Sequence, residues 1–368
     1  MATFYATTGT AQGTGDGSSE ANRIELKKAL ENDAGLHTAL VAGSNIYCKN
    51  DGTLNYDGSL GVYITPAIEG TASAYISVIG YTTTITDGGL ITLNDTDNGQ
   101  TQTAISQSRD YYLWRNIKGT NNRSIFTVAS VSQGNIFMNC HSVDSSTEGF
   151  DVLGNTGDCH AFVDCSSVGA GTQGFSMGSR NARLIRCVSI DSSSSGFLVG
   201  NAAYGAILVD CIAHANGSHG FDITGESALT NCTANRNTGD GFNVDAYTIL
   251  HGCVASSNSA YGVNGSAVPV FANNSALNPT NETNTSGKSN SVTLIEVDEI
   301  TGDPLYTDSN PVTPADVDLS LGSGSSLLAA ITSLGGDGFT STTTSTNAGP
   351  VQSAAGGAGG ETSHVFAV

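Results

Sequence analysis

Six cysteines, each followed nine positions later by a glycine, constrain this chain more than any other feature. The pairs are Cys140–Gly149, Cys165–Gly174, Cys187–Gly196, Cys211–Gly220, Cys232–Gly241 and Cys253–Gly262. The glycines are followed by Phe150, Phe175, Phe197, Phe221, Phe242 and, last, Val263. Three residues before each cysteine stands a large apolar residue: Phe137, Phe162, Leu184, Leu208, Leu229 or Leu250. Two residues after it the side chain is small: Ser142, Ser167, Ser189, Ala213, Ala234 or Ala255. The gaps from each glycine to the next cysteine are 16, 13, 15, 12 and 12 residues. One arc of the repeat is therefore fixed, and another tolerates insertion.

A period of 21 to 25 residues marks a solenoid. The repeats are rich in Gly, Asn, Ser and Val, with short apolar stretches between turn residues, which reads as strands joined by turns. Three short strands and three turns fill one coil of a parallel β-helix. Coils stack about 4.8 Å apart, so equivalent side chains form ladders. The cysteines make one internal ladder and the phenylalanines another, with the Ser/Ala positions where the cross-section is narrow. Glycine is expected to supply the backbone turn before the Phe strand. Asn216, Asn237 and Asn258, each five residues after a cysteine, are expected to form an asparagine ladder.

Eight cysteines invite a disulfide or metal reading. One thiol per coil does not converge on a point as metal ligands must, so the row reads as reduced core cysteines. Cys159, His160 and Cys165 give only a faint metal signal, and no cofactor or metal is expected.

The flanks read differently. Residues 19–32, "SEANRIELKKALEN", are the one convincing helix, capped by Ser18 or Ser19 and ended by Gly35. Ile24, Leu26 and Leu30 on it are expected to cover the open end of the first coil. "TALVAGSNIY" and "YISVIGY" read as early strands, and "DYYLWRNIKG" as core and rim packing. The expected organisation is an N-terminal lead-in with the capping helix at 1–58, coils at 59–282, a C-terminal cap at 283–336 and a low-complexity tail at 337–368. Such a tail is disordered by itself, so a partner subunit is expected to hold it, with "HVFAV" as anchor.

Composition narrows the partners. Lys+Arg number 13 against 33 Asp+Glu, a net charge of −20. That surface repels phosphate backbones and anionic membranes, so neither nucleic acid nor a membrane is an expected partner. No apolar run reaches the roughly 18–20 residues of a membrane span. The start lacks a basic region followed by an apolar core, so no secretory signal is read and release by host lysis is expected.

The segments "GTGDGSSEANRIELKKAL", "ALVAGSNIY" and "AYISVIGYTTTITDGG", followed by the coils, resemble the right-handed parallel β-helix superfamily that contains pectate lyases. They are most similar to uncharacterised β-helix proteins of tailed phages, marine ones especially, over roughly residues 3–325. "DPLYTDSNPVTPADVDLSLGSGSSLLAAI" resembles the closing segment of those proteins, which folds over the last coil. The resemblance implies an all-β, right-handed parallel β-helix. Lyases of the superfamily pair calcium-binding aspartates with an Arg or Lys base, and hydrolases use two or three carboxylates. This chain departs from both. It has no adjacent Asp-Asp pair, no Gly-His-Gly in the coils and no Trp-Ile-Asp-His segment. Its basic residues in the coils are few, Arg180, Arg183, Arg186 and Arg236.

No catalytic residue is therefore assigned. The polar positions that vary flank the Gly-Phe turns. Before the glycine stand Glu148, Gln173, Ser195, His219, Asp240 and Tyr261; after the Phe or Val stand Asp151, Ser176, Leu198, Asp222, Asn243 and Asn264. His219, Asp222, Asp240 and Asn243 fall one strand spacing apart and form the candidate surface patch, suited to a sugar or a cation; the alternative is a solvated turn. The expected function is a non-enzymatic phage virion protein (spike, fibre or capsid decoration) that binds other virion subunits, plausibly as a trimer. A tailspike-type polysaccharide depolymerase, acting as lyase or glycoside hydrolase, and an adhesin for host-surface glycan are the alternatives.

Overall fold

The computed structural model describes residues 2–31, 40–56, 62–96, 102–154, 159–200, 205–244 and 248–265, and the strand backbone at 270–277, 294–296, 306–308 and 318–321. Its body is a stack of parallel strands wound as a β-helix. One coil shows the plan: Ala161–Val163, Ser166–Val168 and Phe175–Met177 are its first, second and third strands. Each pairs in register with its equivalent one coil on: Phe162 with Leu184, Ser167 with Ser189, Phe175 with Phe197. First and second strands fuse in some coils, as in Ile136–Val143.

The ladders run as the spacing requires. All six repeat cysteines are buried and unbridged. Each thiol lies against the carbonyl of the apolar residue one coil back, as Cys187 does with Phe162 O at 3.4 Å and Cys211 with Leu184 O at 3.5 Å. Phe150, Phe175, Phe197, Phe221 and Phe242 stack face to face with centroids 4.7–4.9 Å apart and planes within 7°. Both ladders extend upstream under other residue types. Ile117 pairs with Cys140, Trp114 with Phe137, and Phe126 with Phe150. "DYYLWRNIKG" is thus core, and Trp114 is fully buried with its indole N–H donating to Gln107 Oε1 at 3.0 Å.

The asparagine ladder is present. Asn237 Oδ1 accepts both the backbone N–H and the amide of Asn216, at 3.0 and 2.9 Å. Asn258 Oδ1 does the same for Asn237, at 3.0 and 2.8 Å. Asn237 and Asn258 also donate to the carbonyls of Ala213 and Ala234, at 3.2 and 3.1 Å, so these buried amides are paired, as burial demands.

Two expectations need correction. The glycines before the Phe strand do not adopt a left-handed backbone. They are required because a Cβ would have no room: at Gly220 it would lie 2.7 Å from Gly241 O, 2.8 Å from the Asn237 amide and 2.9 Å from Ala234 Cβ. The small Ser/Ala column and the glycine column are one packing unit, in which neighbouring coils press together. The left-handed positions lie elsewhere, and two of their columns run through all six coils. One precedes the cysteine (Asn139, Asp164, Arg186, Asp210, Asn231, Gly252). The other follows it by four (Asp144, Gly169, Asp191, Ala215, Arg236, Ser257). Asn, Asp and Gly dominate because they tolerate this region best.

The second correction concerns the helix expected at 19–32. Glu20–Asn22 is a short 3-10 turn, Ile24–Glu25 is strand, and the α-helix is Leu26–Glu31. Ile24 pairs with Ala6 of the first strand, Thr3–Thr7, and is buried there, so sheet pairing claims the residues that helical periodicity assigned to the first turn. Ser19 precedes the turn without a side-chain capping bond, and Gly35 lies outside the described residues. Leu26, Ala29 and Leu30 are buried, and the helix packs on the first strand and on Val62–Ile64. No helix among the described residues is long and apolar enough to cross a membrane.

Candidate functional site

The four patch residues sit on adjacent coils around the Gly-Phe turns. Asp222 and Asn243 are the central, outward residues of Phe221–Ile223 and Phe242–Val244 and are register partners. Asn243 Nδ2 donates to Asp222 Oδ1 at 2.8 Å. His219 and Asp240 stand just before the glycines, with His219 Nδ1 3.2 Å from Asp240 Oδ2. The same nitrogen lies 3.1 Å from the Asp240 backbone N–H. Gly239 makes room for the ring, since a Cβ there would fall 2.9 Å from Nδ1.

Asp240 is not the surface residue expected from its variable column. It is 3 % exposed, and its carboxylate accepts the Tyr261 N–H and the Asn264 amide, each at 2.9 Å. A variable column does not mean a free one, because a turn residue can be pinned by the coil beyond it. Asn264, next in the outward row after Asn243, completes the cluster.

Charge follows from this geometry. The hydrogen bond to Asp240 raises the His219 pKa above its ordinary value, against the opposing effect of burial; Asp222 adds to the rise. Burial pushes Asp240 upward, but its bonds to His219, Asn264 and the Tyr261 backbone outweigh it and hold the carboxyl below the ordinary range. Nδ1 therefore exchanges partners on titration. Neutral, it accepts the Asp240 N–H; protonated, it donates to the carboxylate.

A second polar set on the same face lies three coils back. Asp151 is the outward residue of Phe150–Val152, between Thr127 and Ser176. Burial first, then the charge of Glu148, pushes its pKa up to about 6, with Arg123 pulling the other way. Arg123 O accepts the Thr147 hydroxyl at 2.9 Å, which fixes this turn beneath Arg123. Glu148 and Asp151 repeat the spacing of His219 and Asp222. That recurrence was the signal available in the sequence for a set that composition alone passes over.

Among the described residues no group of three or more His, Cys, Asp or Glu is gathered as a metal site. Cys159 is exposed while Cys165 is in the core ladder, and His160 is buried with Nδ1 accepting the Asn135 N–H at 3.3 Å. The sequence neighbours thus face different surroundings.

No family model matches the chain, and no curated protein matches it in sequence. Solved structures do match it in shape. The pectate lyase Pel9A superposes with a TM-score of 0.60 at 16% identity, over 86% of this chain and 82% of its own. A rhamnogalacturonan lyase gives 0.62 at 14%, over 81% and 87%. The chain has the pectate-lyase-like parallel β-helix fold. A Geobacillus virus E2 protein, ORF18, aligns more loosely, with a TM-score of 0.47 at 13% identity over 74% of this chain and 55% of its own. At these identities the likeness establishes the fold, and a fold hosts many activities. What this β-helix does must be argued from its own side chains.

Proposed function

We propose that this β-helix is a structural component of a phage virion, a spike, fibre or capsid decoration, and that its polar patch does no catalysis. One observation carries the reading. His219, Asp222, Asp240 and Asn243 bond to one another and to Tyr261 and Asn264, so the patch ties neighbouring coils together. Support comes also from the resemblance of residues 3–325 to tailed-phage β-helix proteins. Other virion subunits are the partners on this reading, engaged through residues 337–368, and a trimer suits a straight rod. Particles purified from a lysate and analysed by mass spectrometry are expected to contain the polypeptide at a fixed copy number. Intact particles lacking it would sink the proposal.

One observation favours a second reading, a polysaccharide depolymerase or glycan-binding adhesin. Asp151, with a pKa near 6 beside Glu148 and Arg123, has the character of a proton donor on an outward face. Incubation with acidic and neutral capsular polysaccharides separates the readings. New reducing ends or unsaturated uronates, lost in Asp151→Asn, would establish the enzyme. Binding on a glycan array without turnover would establish the adhesin.

A further inference from the structure

The first strands carry an outward face of unusual chemistry. Its two columns stand four and two residues before each cysteine, and before Ile117 in the coil that has no cysteine. They point outward because they alternate with the buried apolar residue between them. The strands stack in register from Leu113 to His251. After Leu113 the first column reads Ile136, Ala161, Arg183, Ile207, Ala228 and Ile249. The second runs through Met138, Val163, Ile185 and Val209, between Arg115 on one side and Thr230 and His251 on the other. The third strands offer similar exposure with the opposite chemistry, since their half-buried outward centres include Asp151, Ser176, Asp222 and Asn243. On the first strands Ile136, Met138, Val163, Ile185 and Val209 are half-buried too, and Ile207 and Ile249 are 40% and 47% exposed. A solvated sheet face is ordinarily polar, and a contiguous apolar one marks an interaction. None of the chain's 33 Asp and Glu lies in these two columns.

We propose that this face is where a second copy of the chain packs, side by side and parallel, related by a rotation axis along the rod. Charge is the first argument. A chain of net charge −20 repels its own copies, and a face without carboxylates is where two copies approach at least cost. Shape is the second. Strands rule the face at about 4.8 Å, and a face of the same pitch, which another copy supplies, fits it row against row. Size is the third. Six coil spacings by about five residues of strand give roughly 500 Å² per copy, and the total of about 1,000 Å² meets the need of a specific interface. The arginines set the orientation. A two-fold axis across the rods, through the middle of the face, would set Arg183 against Arg183. An axis along the rod instead lays each copy's first column against the other's second, at equal height. Arg183 then lies beside Ile185 of the second copy and reaches the rim column just before the cysteine. That rim holds Asp164, Arg186 and Asp210 on successive coils. Arg186 is bound to Asp164, and Asp210 acts on it as well, so the rim carries one carboxylate in excess, which Arg183 balances. The inference does not rest on the virion reading, which is tested by the content of particles.

Sedimentation velocity of the full chain over a concentration series tests the proposal. The native chain is expected to sediment as an oligomer. Ile207→Asp should raise its dissociation constant tenfold or more, while Leu198→Asp, on the outward face of a third strand, should leave it unchanged. Circular dichroism checks that both variants keep the β-helix. Cross-linking gives a second readout that does not depend on tolerance of the aspartate. Ile207→Cys and Val209→Cys chains, each in a Cys159→Ser background and differently tagged, are co-expressed and mildly oxidised. The mixed Ile207→Cys with Val209→Cys disulfide should form about tenfold or more faster than the Ile207→Cys self-pair, and Ser176→Cys chains should stay uncross-linked. A chain that is monomeric throughout the series would overturn the proposal. So would an equal effect of Leu198→Asp, or a self-pair that forms as fast as the mixed one.

Discussion

At the scale of the residue, glycine and histidine carry the sharpest consequences. Gly220 is held by contact, so Gly220→Ala should destabilise the fold by about 1–3 kcal/mol through overpacking. Gly200, whose nearest such neighbour would be Met177 O at 3.8 Å, should accept alanine with no loss, or a gain of up to about 1 kcal/mol. Chemical denaturation of both variants checks the contrast; equal effects would show that backbone freedom, not space, matters at Gly220. The His219–Asp240 pair gives a pH signature. Asp240 titrates below its ordinary value in the folded chain, so its contribution is present above that value and is lost as pH falls through the folded pKa. His219 titrates above its ordinary value, so its contribution is complete below about 6.5 and is lost as pH rises through the folded pKa. The difference in melting temperature between the native chain and His219→Gln should therefore be greatest near about pH 5–6 and shrink towards pH 8. A difference that grows with pH would refute the charged pair.

At the scale of the element, the ladders divide labour. Phenylalanine fills the wide part of the section, the thiols fill a narrower part, and asparagines satisfy the turn. The cysteines are packing groups, which predicts their chemistry. Titration of the native protein with a thiol reagent should count one fast thiol, Cys159, and the other seven only after denaturation. A second fast thiol would mean that the ladder opens. Much of this was legible in the sequence, because strict spacing leaves few geometries. The two left-handed columns were not drawn from it, although "NC" and "DC" recur before the repeat cysteines. A residue's φ depends on the bend between two strands, and that bend is visible only once the strands are placed. Ile24 shows the same limit: helical periodicity and sheet pairing competed for it, and the neighbouring strand at Ala6 decided.

At the scale of the molecule, the chain is an acidic rod, with 33 carboxylates against 13 Lys and Arg. Self-repulsion is screened by salt, so raising NaCl from about 10 mM to about 0.3 M should raise the melting temperature. A fall would mean that attractive pairs outweigh the net charge. Ion pairs do occur, such as the bidentate Arg186–Asp164 pair at 2.6 and 2.9 Å, but they are exposed and worth little each. By itself the sequence determined the coil, its period and the identity of its inward ladders. It could do so because an inward position is constrained by the same neighbour in every coil, and repetition makes that constraint readable. The tertiary structure alone decided what the outward positions do. It buried Asp240 beneath Tyr261 and Asn264, paired it with His219, set Asp151 beside Glu148 and Arg123, and left Thr233 and Val254 buried. An outward side chain answers to whatever stands across from it on the neighbouring coil, and no spacing along the chain records that.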